Sequence, residues 1–263
     1  MGIVAGWAMA MAVAGAATPA WQTSPRASVL VSGGAMMNGD HFADSTLPAM
    51  REHYAGCKRV ALVLHASHPS DRDRMEARLQ KAFAHLLGSA EMKVESLHRR
   101  DVAGARELIA QADAFFVGGG ETFVLLAELA RTGQLQQIRA RALTGVPYGG
   151  ASAGANIAGL LIGTTNDFPV AEIPSREALA LLSATVNPHH PLPEAKADYD
   201  ARVGKIKGYL RFNPAETVLA LGNASIVRLH AGRATLVVGK GYIYRADAMR
   251  ELTVGEPVPE LAR

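Results

Sequence analysis

The stretch Gly150-Ala151-Ser152-Ala153-Gly154 constrains the fold more than any other. It is a G-x-S-x-G pattern at the end of a short apolar run that starts at Val146. In a nucleophile elbow a serine sits on a sharp strand-to-helix turn, in strained backbone geometry, with its hydroxyl exposed. The flanking residues must be small, because strand and helix nearly touch there. Residues 153–161 are small or apolar and are expected to open a buried helix. That helix would aim its first N–H groups at the serine, where an oxyanion would form. A glycine-rich turn whose serine only caps a helix shares the local pattern.

The chain before the elbow alternates strand-like and helix-like segments. Residues 27–32 (ASVLVS), 59–65 (RVALVLH), 92–97 and 114–117 (AFFV) are apolar and β-rich, and are expected to be core strands. Helices are expected over 47–54, from the Ser70-Asp71 cap to about 87, and over 101–111, 122–131 and 134–143. Gly88 and Gly133 supply stops. Such alternation predicts an α/β fold of three α/β/α layers on a mostly parallel sheet. Sites in such sheets form beyond the carboxyl ends of strands, where the Gly118-Gly119-Gly120 run and Ser152 both stand. Residues 225–230 and 233–238 flank Ala231-Gly232 and predict a C-terminal antiparallel hairpin, with a further strand at 241–245.

A chain of 263 residues, 49% of them hydrophobic, can bury one large α/β core or two small ones. One domain over residues 26–263 is expected. The net charge of +3 is small and the basic residues are dispersed, which argues against nucleic-acid binding. The single cysteine, Cys57, cannot form an internal disulfide, and no Cys/His cluster has zinc spacing. His65 and His68 lack a third ligand nearby in sequence and are expected to be loop residues. No metal and no cofactor is expected. Residues 1–20 carry no charged side chain, and Ala14-Gly15-Ala16 and Thr18-Pro19-Ala20 resemble cleavage sites. Residues 1–25 are therefore expected to be a signal-like or disordered extension, with export to the periplasm, although a basic n-region is missing. An uncleaved anchor and a cytoplasmic location are the alternatives. No other stretch is long and apolar enough to span a membrane.

A serine nucleophile needs a base, and the base needs an orienting partner. Downstream candidates are Asp167, in the polar turn 164–169, and His189 or His190, in a loop held by Pro188 and Pro191. Singly, Asp167 has the bland reading of a turn or cap residue, and either histidine that of a loop residue.

Four blocks together resemble the peptidase E family, the bacterial aspartyl dipeptidases. They are Phe116-Val117-Gly118-Gly119-Gly120-Glu121-Thr122-Phe123, Gly150-Ala151-Ser152-Ala153-Gly154-Ala155-Asn156, Thr164-Thr165-Asn166-Asp167-Phe168-Pro169-Val170 and Asn187-Pro188-His189. The family is related to cyanophycinases and to class I glutamine amidotransferase-like folds, and the likeness covers roughly residues 28–256. The resemblance implies a serine exopeptidase acting on dipeptides or short peptides. Ser152 would be the nucleophile, His189 the general base and then acid, with His190 the fallback, and Asp167 the orienting carboxylate. The N–H groups of Gly120 and Ala153 would form the oxyanion hole. The segment Tyr199-Asp200-Ala201-Arg202-Val203-Gly204-Lys205-Ile206 resembles the family's helix whose arginine reads a substrate carboxylate, which offers Arg202, with Lys205 as the alternative. The family usually has Asn after the triple glycine, whereas this chain has Glu121. An ionised Glu would repel a carboxylate and attract an ammonium group, unless it only stabilises the first turn of a helix. Two other readings follow: a cyanophycinase-like hydrolase of β-linked aspartyl-arginine material, or a catalytically idle binding protein. A cysteine-dependent amidotransferase is excluded, because the elbow carries serine.

Overall fold

The computed structural model describes residues 24–88, 92–246 and 248–262. The first 23 residues of the signal-like stretch lie outside them. In chain order the strands are β1 (Val29–Ser32), β2 (Met37–Asn38), β3 (His41–Phe42), β4 (Arg59–Val63), β5 (Lys93–Ser96), β6 (Ala114–Val117), β7 (Tyr148–Ala151), β8 (Thr185–Asn187), β9 (Val218–Leu221), β10 (Ile226–His230), β11 (Arg233–Val238), β12 (Gly241–Arg245) and β13 (Ala248–Glu251). The helices are α1 (Leu47–His53), α2 (Arg72–Leu87), α3 (Val102–Gln111), α4 (Thr122–Arg131), α5 (Gln134–Leu143), α6 (Ala153–Ala158) and α7 (Lys196–Phe212).

The main sheet has the order β11-β10-β1-β7-β6-β4-β5. Strands β1, β7, β6, β4 and β5 run parallel. The hairpin β10–β11 closes the β1 edge in antiparallel register. Side chains alternate across the sheet as a period of two requires. Val29 and Val31 of β1 and Ala61 and Val63 of β4 join one core with α3, α4, α5 and α6. Leu30, Val60 and Leu62 point the other way and pack with Met50 of α1 and Leu79 and Phe83 of α2. The result is the three-layer α/β/α arrangement, with helices on both faces of a mixed, mostly parallel sheet.

Strand β12 does not extend this sheet. It belongs to a second sheet of order β13-β12-β9-β8. One face of that sheet, including Val186, Leu219, Leu221 and Ile243, joins the main core. Its other face, with Val218, Ala220, Tyr242 and Tyr244, is covered by Ile206 and Leu210 of α7.

The chain order lets three neighbouring parallel strands, β1, β7 and β6, end side by side. Gly33-Gly34 follows β1, Ser152 follows β7, and the triple glycine follows β6. The elbow helix α6 is shorter than the expected run, stopping at Ala158 before Gly159. All six of its residues are buried. Its last carbonyls need partners from elsewhere. The irregular segment 179–182 supplies them: Leu179 N–H donates to Ile157 O at 2.8 Å, and Leu181 and Leu182 to Ala158 O at 2.9 and 3.2 Å.

Candidate active site

Ser152 has φ 55° and ψ −113°, far from any relaxed conformation for a residue with a Cβ. The packing around it explains why both flanking positions are glycine. A Cβ on Gly150 would lie 2.4 Å from the Gly154 carbonyl oxygen, and one on Gly154 would lie 2.2 Å from the Val117 carbonyl oxygen. The Tyr148 hydroxyl donates to Gly154 O at 2.7 Å and ties strand to helix. Ser152 O accepts from Ala155 and Asn156 N–H at 2.8 and 2.9 Å. The Ala153 N–H, at the first position of α6, is left without a partner among the described residues.

The histidine loop hangs between the two sheets. His189 N–H donates to Gly33 O and His190 N–H to Leu221 O, each at 2.9 Å. His189 itself has φ 55°. Its Nε2 lies 2.8 Å from Ser152 Oγ and its Nδ1 lies 2.7 Å from Asn223 Oδ1. With Nδ1–H donating to the amide oxygen, Nε2 is left bare to accept the serine proton. Gly34, with φ +109°, lies flush against the ring: a Cβ there would sit 2.1 Å from His189 Cε1. The turn bearing Asn223 is fixed to the same place, since Ala224 N–H donates to Gly34 O at 2.7 Å. His190 turns away and is not a second base. Its ring is buried, with Nε2 2.9 Å from the Tyr244 hydroxyl and Nδ1 2.9 Å from Pro191 O, and burial lowers its pKa.

Asn223 escaped the sequence reading. It follows β9, which was not expected as a strand, and a lone asparagine after a glycine signals only a turn. The expected contact between Asp167 and His189 is absent. Asp167 Oδ2 instead accepts the Thr122 N–H at 2.8 Å and the Thr165 hydroxyl at 3.2 Å. The reason is electrostatic: Glu121 occupies the N-cap of α4 without making a side-chain cap bond, so the first free N–H attracts a carboxylate from another loop.

Glu121 thus precedes the first turn of α4 rather than lying in it, and its side chain is exposed. Arg202 sits behind the histidine loop. Its Nη1 donates to Asn187 Oδ1 at 3.1 Å, Pro188 O at 3.2 Å and His189 O at 3.3 Å. Partial burial pulls its pKa below the ordinary guanidinium value. Arg202 and Lys205 also line a small cavity of about 110 Å³ with Thr165, Asn166 and Asn187.

The triple glycine approaches the serine from the side. A Cβ on Gly119 would lie 2.9 Å from Ser152 Cβ, and one on Gly120, with φ +133°, would lie 2.2 Å from Ala66 O. Only glycine fits either position. The Gly120 N–H has no partner among the described residues. A three-member group with metal-ligand chemistry lies elsewhere: Asp73, Glu76 and His98. Arg99 bonds both carboxylates, Glu76 at 2.6 Å and Asp73 at 3.0 Å, so the group is an ion-pair network. No helix among the described residues is long and apolar enough to cross a membrane.

The family model described as "Peptidase family S51" matches residues 29–237. The chain is 32% identical over 223 residues to a peptidase E of Actinobacillus pleuropneumoniae serotype 7, covering 82% of this chain and 93% of that one. It is 33% identical over 238 residues to a peptidase E of Streptomyces coelicolor, covering 89% and 94%. Among solved structures, a peptidase from an acI-B1 Actinobacterium superposes with a TM-score of 0.66 at 17% identity, covering 88% of this chain and 96% of that one. A structure titled as a putative peptidase E from Listeria monocytogenes gives a TM-score of 0.60 at 19% identity, covering 86% and 99%.

Proposed function

The chain belongs to peptidase family S51 and is a peptidase, and from that premise we propose that it is a serine-type exopeptidase cleaving dipeptides or short peptides. The observation that carries this reading is the 2.8 Å approach of His189 Nε2 to the hydroxyl of a serine held at φ 55°. Ser152 Oγ attacks the peptide carbonyl while His189 Nε2 takes its proton. The developing oxyanion is held by the N–H groups of Gly120 and Ala153, both without a partner among the described residues. His189 then returns the proton to the leaving amine, and an acyl group remains on Ser152. Water, deprotonated by the same imidazole, releases it. Asn223 Oδ1 fixes the ring's tautomer through Nδ1–H, without adding a negative charge.

Substrate preference rests on three charged side chains. Arg202 and Lys205 beside the small cavity suit a substrate carboxylate, as an N-terminal aspartate would offer. Glu121, exposed next to Gly120, favours a cationic group. A second reading, hydrolysis of β-linked aspartyl-arginine material, draws on that glutamate. Asp-X dipeptides assayed beside β-Asp-Arg separate the two.

Labelling with a fluorophosphonate tests the chemistry directly. The wild type should label and Ser152→Ala should not. A folded wild type whose Ser152 never labels would overturn the proposal.

A further inference from the structure

We propose that Asp167 is a positioning residue for the oxyanion loop: it caps helix α4 from outside and so sets where Gly119 and Gly120 stand against Ser152. The inference rests on the reading of Ser152 as nucleophile. Four observations lead to it. First, the residue entitled to cap α4, Glu121, makes no side-chain cap bond, and Asp167 Oδ2 takes the Thr122 N–H at 2.8 Å instead. Thr122 stands only two residues beyond Gly120, at the first position of the helix. Second, the glycine run and the residue after it are tied to a different loop as well. Glu121 N–H donates to Ala66 O at 2.9 Å, and the Ser67 hydroxyl to Gly119 O at 3.4 Å. The run is therefore held by two loops, and Asp167 supplies the contact from one of them.

Third, the anchor is coupled to the nucleophile's own helix. Asn156, one turn past Ser152 and buried, donates through Nδ2 to Thr122 Oγ1 at 3.1 Å and to Thr165 Oγ1 at 3.3 Å. The Thr165 hydroxyl lies 3.2 Å from both Asp167 Oδ2 and Thr122 Oγ1. One polar network thus holds α4, α6 and the 164–167 loop in a common frame. Fourth, the imidazole already has its partner, since Nδ1 of His189 is taken by Asn223. A cap needs an oxygen acceptor and gains modestly from charge. A group that orients and compensates an imidazolium depends on its charge and on the tautomer it selects. The two roles therefore respond differently to loss of charge alone.

The test compares Asp167→Asn, Asp167→Ala and Asn223→Ala by the rate of fluorophosphonate labelling across pH, and by turnover of a dipeptide substrate. Labelling needs no knowledge of the natural substrate. Asn keeps an oxygen for the Thr122 N–H, so Asp167→Asn should label within about threefold of wild type, with an unchanged midpoint in its pH profile. Asp167→Ala loses the acceptor and should fall by about 10- to 100-fold, with the same midpoint. Asn223→Ala should move the midpoint, which shows that the assay senses the imidazole. The proposal is overturned if Asp167→Asn falls by about 10⁴-fold, the loss expected for a carboxylate that serves the imidazole, or if its midpoint moves. It is also overturned if a folded Asp167→Ala matches wild type. Should Asp167→Ala not fold, the near-wild-type rate required of Asp167→Asn keeps the proposal open to refutation. A wild type that never labels is a failure of the serine-peptidase reading itself, so the two failures are distinguishable.

Discussion

Asn223 and Gly34 do for His189 what no single residue could. The amide oxygen fixes the ring from one side, and the missing side chain at position 34 gives the ring room on another. Replacing Gly34 with alanine puts a Cβ 2.1 Å from Cε1, at a backbone angle of +109° that L-residues avoid. We expect Gly34→Ala to cut the labelling rate of Ser152 by about 100-fold or more, because a displacement on the order of 1 Å suffices for that. The accompanying stability loss, read from urea denaturation, should be only about 1–2 kcal/mol. At this scale the sequence was legible where a residue type and a strict local pattern coincide. Ser152 announced itself through its glycines; the prolines marked the loop of His189 and His190, and only the family resemblance chose between the two. Asn223 carried no such pattern. Asp167 was visible as a residue with two readings, and its capping geometry depends on a helix terminus distant in the chain.

The elements that sequence reveals best are those with a β-branched run or a clear cap. Strands β1, β4 and β6 and helices α2 to α5 fall close to their expected limits. What sequence conceals has physical causes. Every side chain of β13 is exposed, so it carries no alternation to detect. Strand β9 is buried throughout its four residues and, without a partner in view, gives no hint of which sheet receives it. The segment 178–184 is buried yet irregular, because the N–H groups of Leu179, Leu181 and Leu182 are spent on the carbonyls at the end of α6. The elbow was the most readable element of all, and its tight contact gives a sharp expectation. Gly154→Ala must part α6 from β6, where the new Cβ would stand 2.2 Å from Val117 O. A loss on the order of 1–3 kcal/mol in denaturant unfolding should follow, as for other overpacked cores. Labelling of Ser152 should fall with it.

Across the whole molecule, burial makes stability depend on pH. His53, the last residue of α1, is buried, donates through Nε2 to Tyr148 O at 3.1 Å, and leaves Nδ1 without a partner among the described residues. Burial pulls its pKa from 6.5 down to about 3. Between those values the unfolded chain binds the proton and the folded chain does not. Stability should therefore fall as pH drops from 6.5 toward 3, by up to about 1.4 kcal/mol per pH unit. Burial lowers the pKa of His65 as well, which adds to the same trend. Denaturant midpoints at pH 7.5 and pH 5 should show a smaller difference for His53→Gln than for wild type. Glutamine can still donate to the Tyr148 carbonyl but takes up no proton.

The paired N–H bonds of residues 189 and 190, one to Gly33 just past β1 of the main sheet and one to Leu221 in the smaller sheet, make the histidine loop a bracket across a seam. The serine is rooted in one sheet alone. His189 is therefore a gauge of how the two sheets are seated, and on the proposed mechanism any slippage along their joint silences the chemistry while each sheet is still intact.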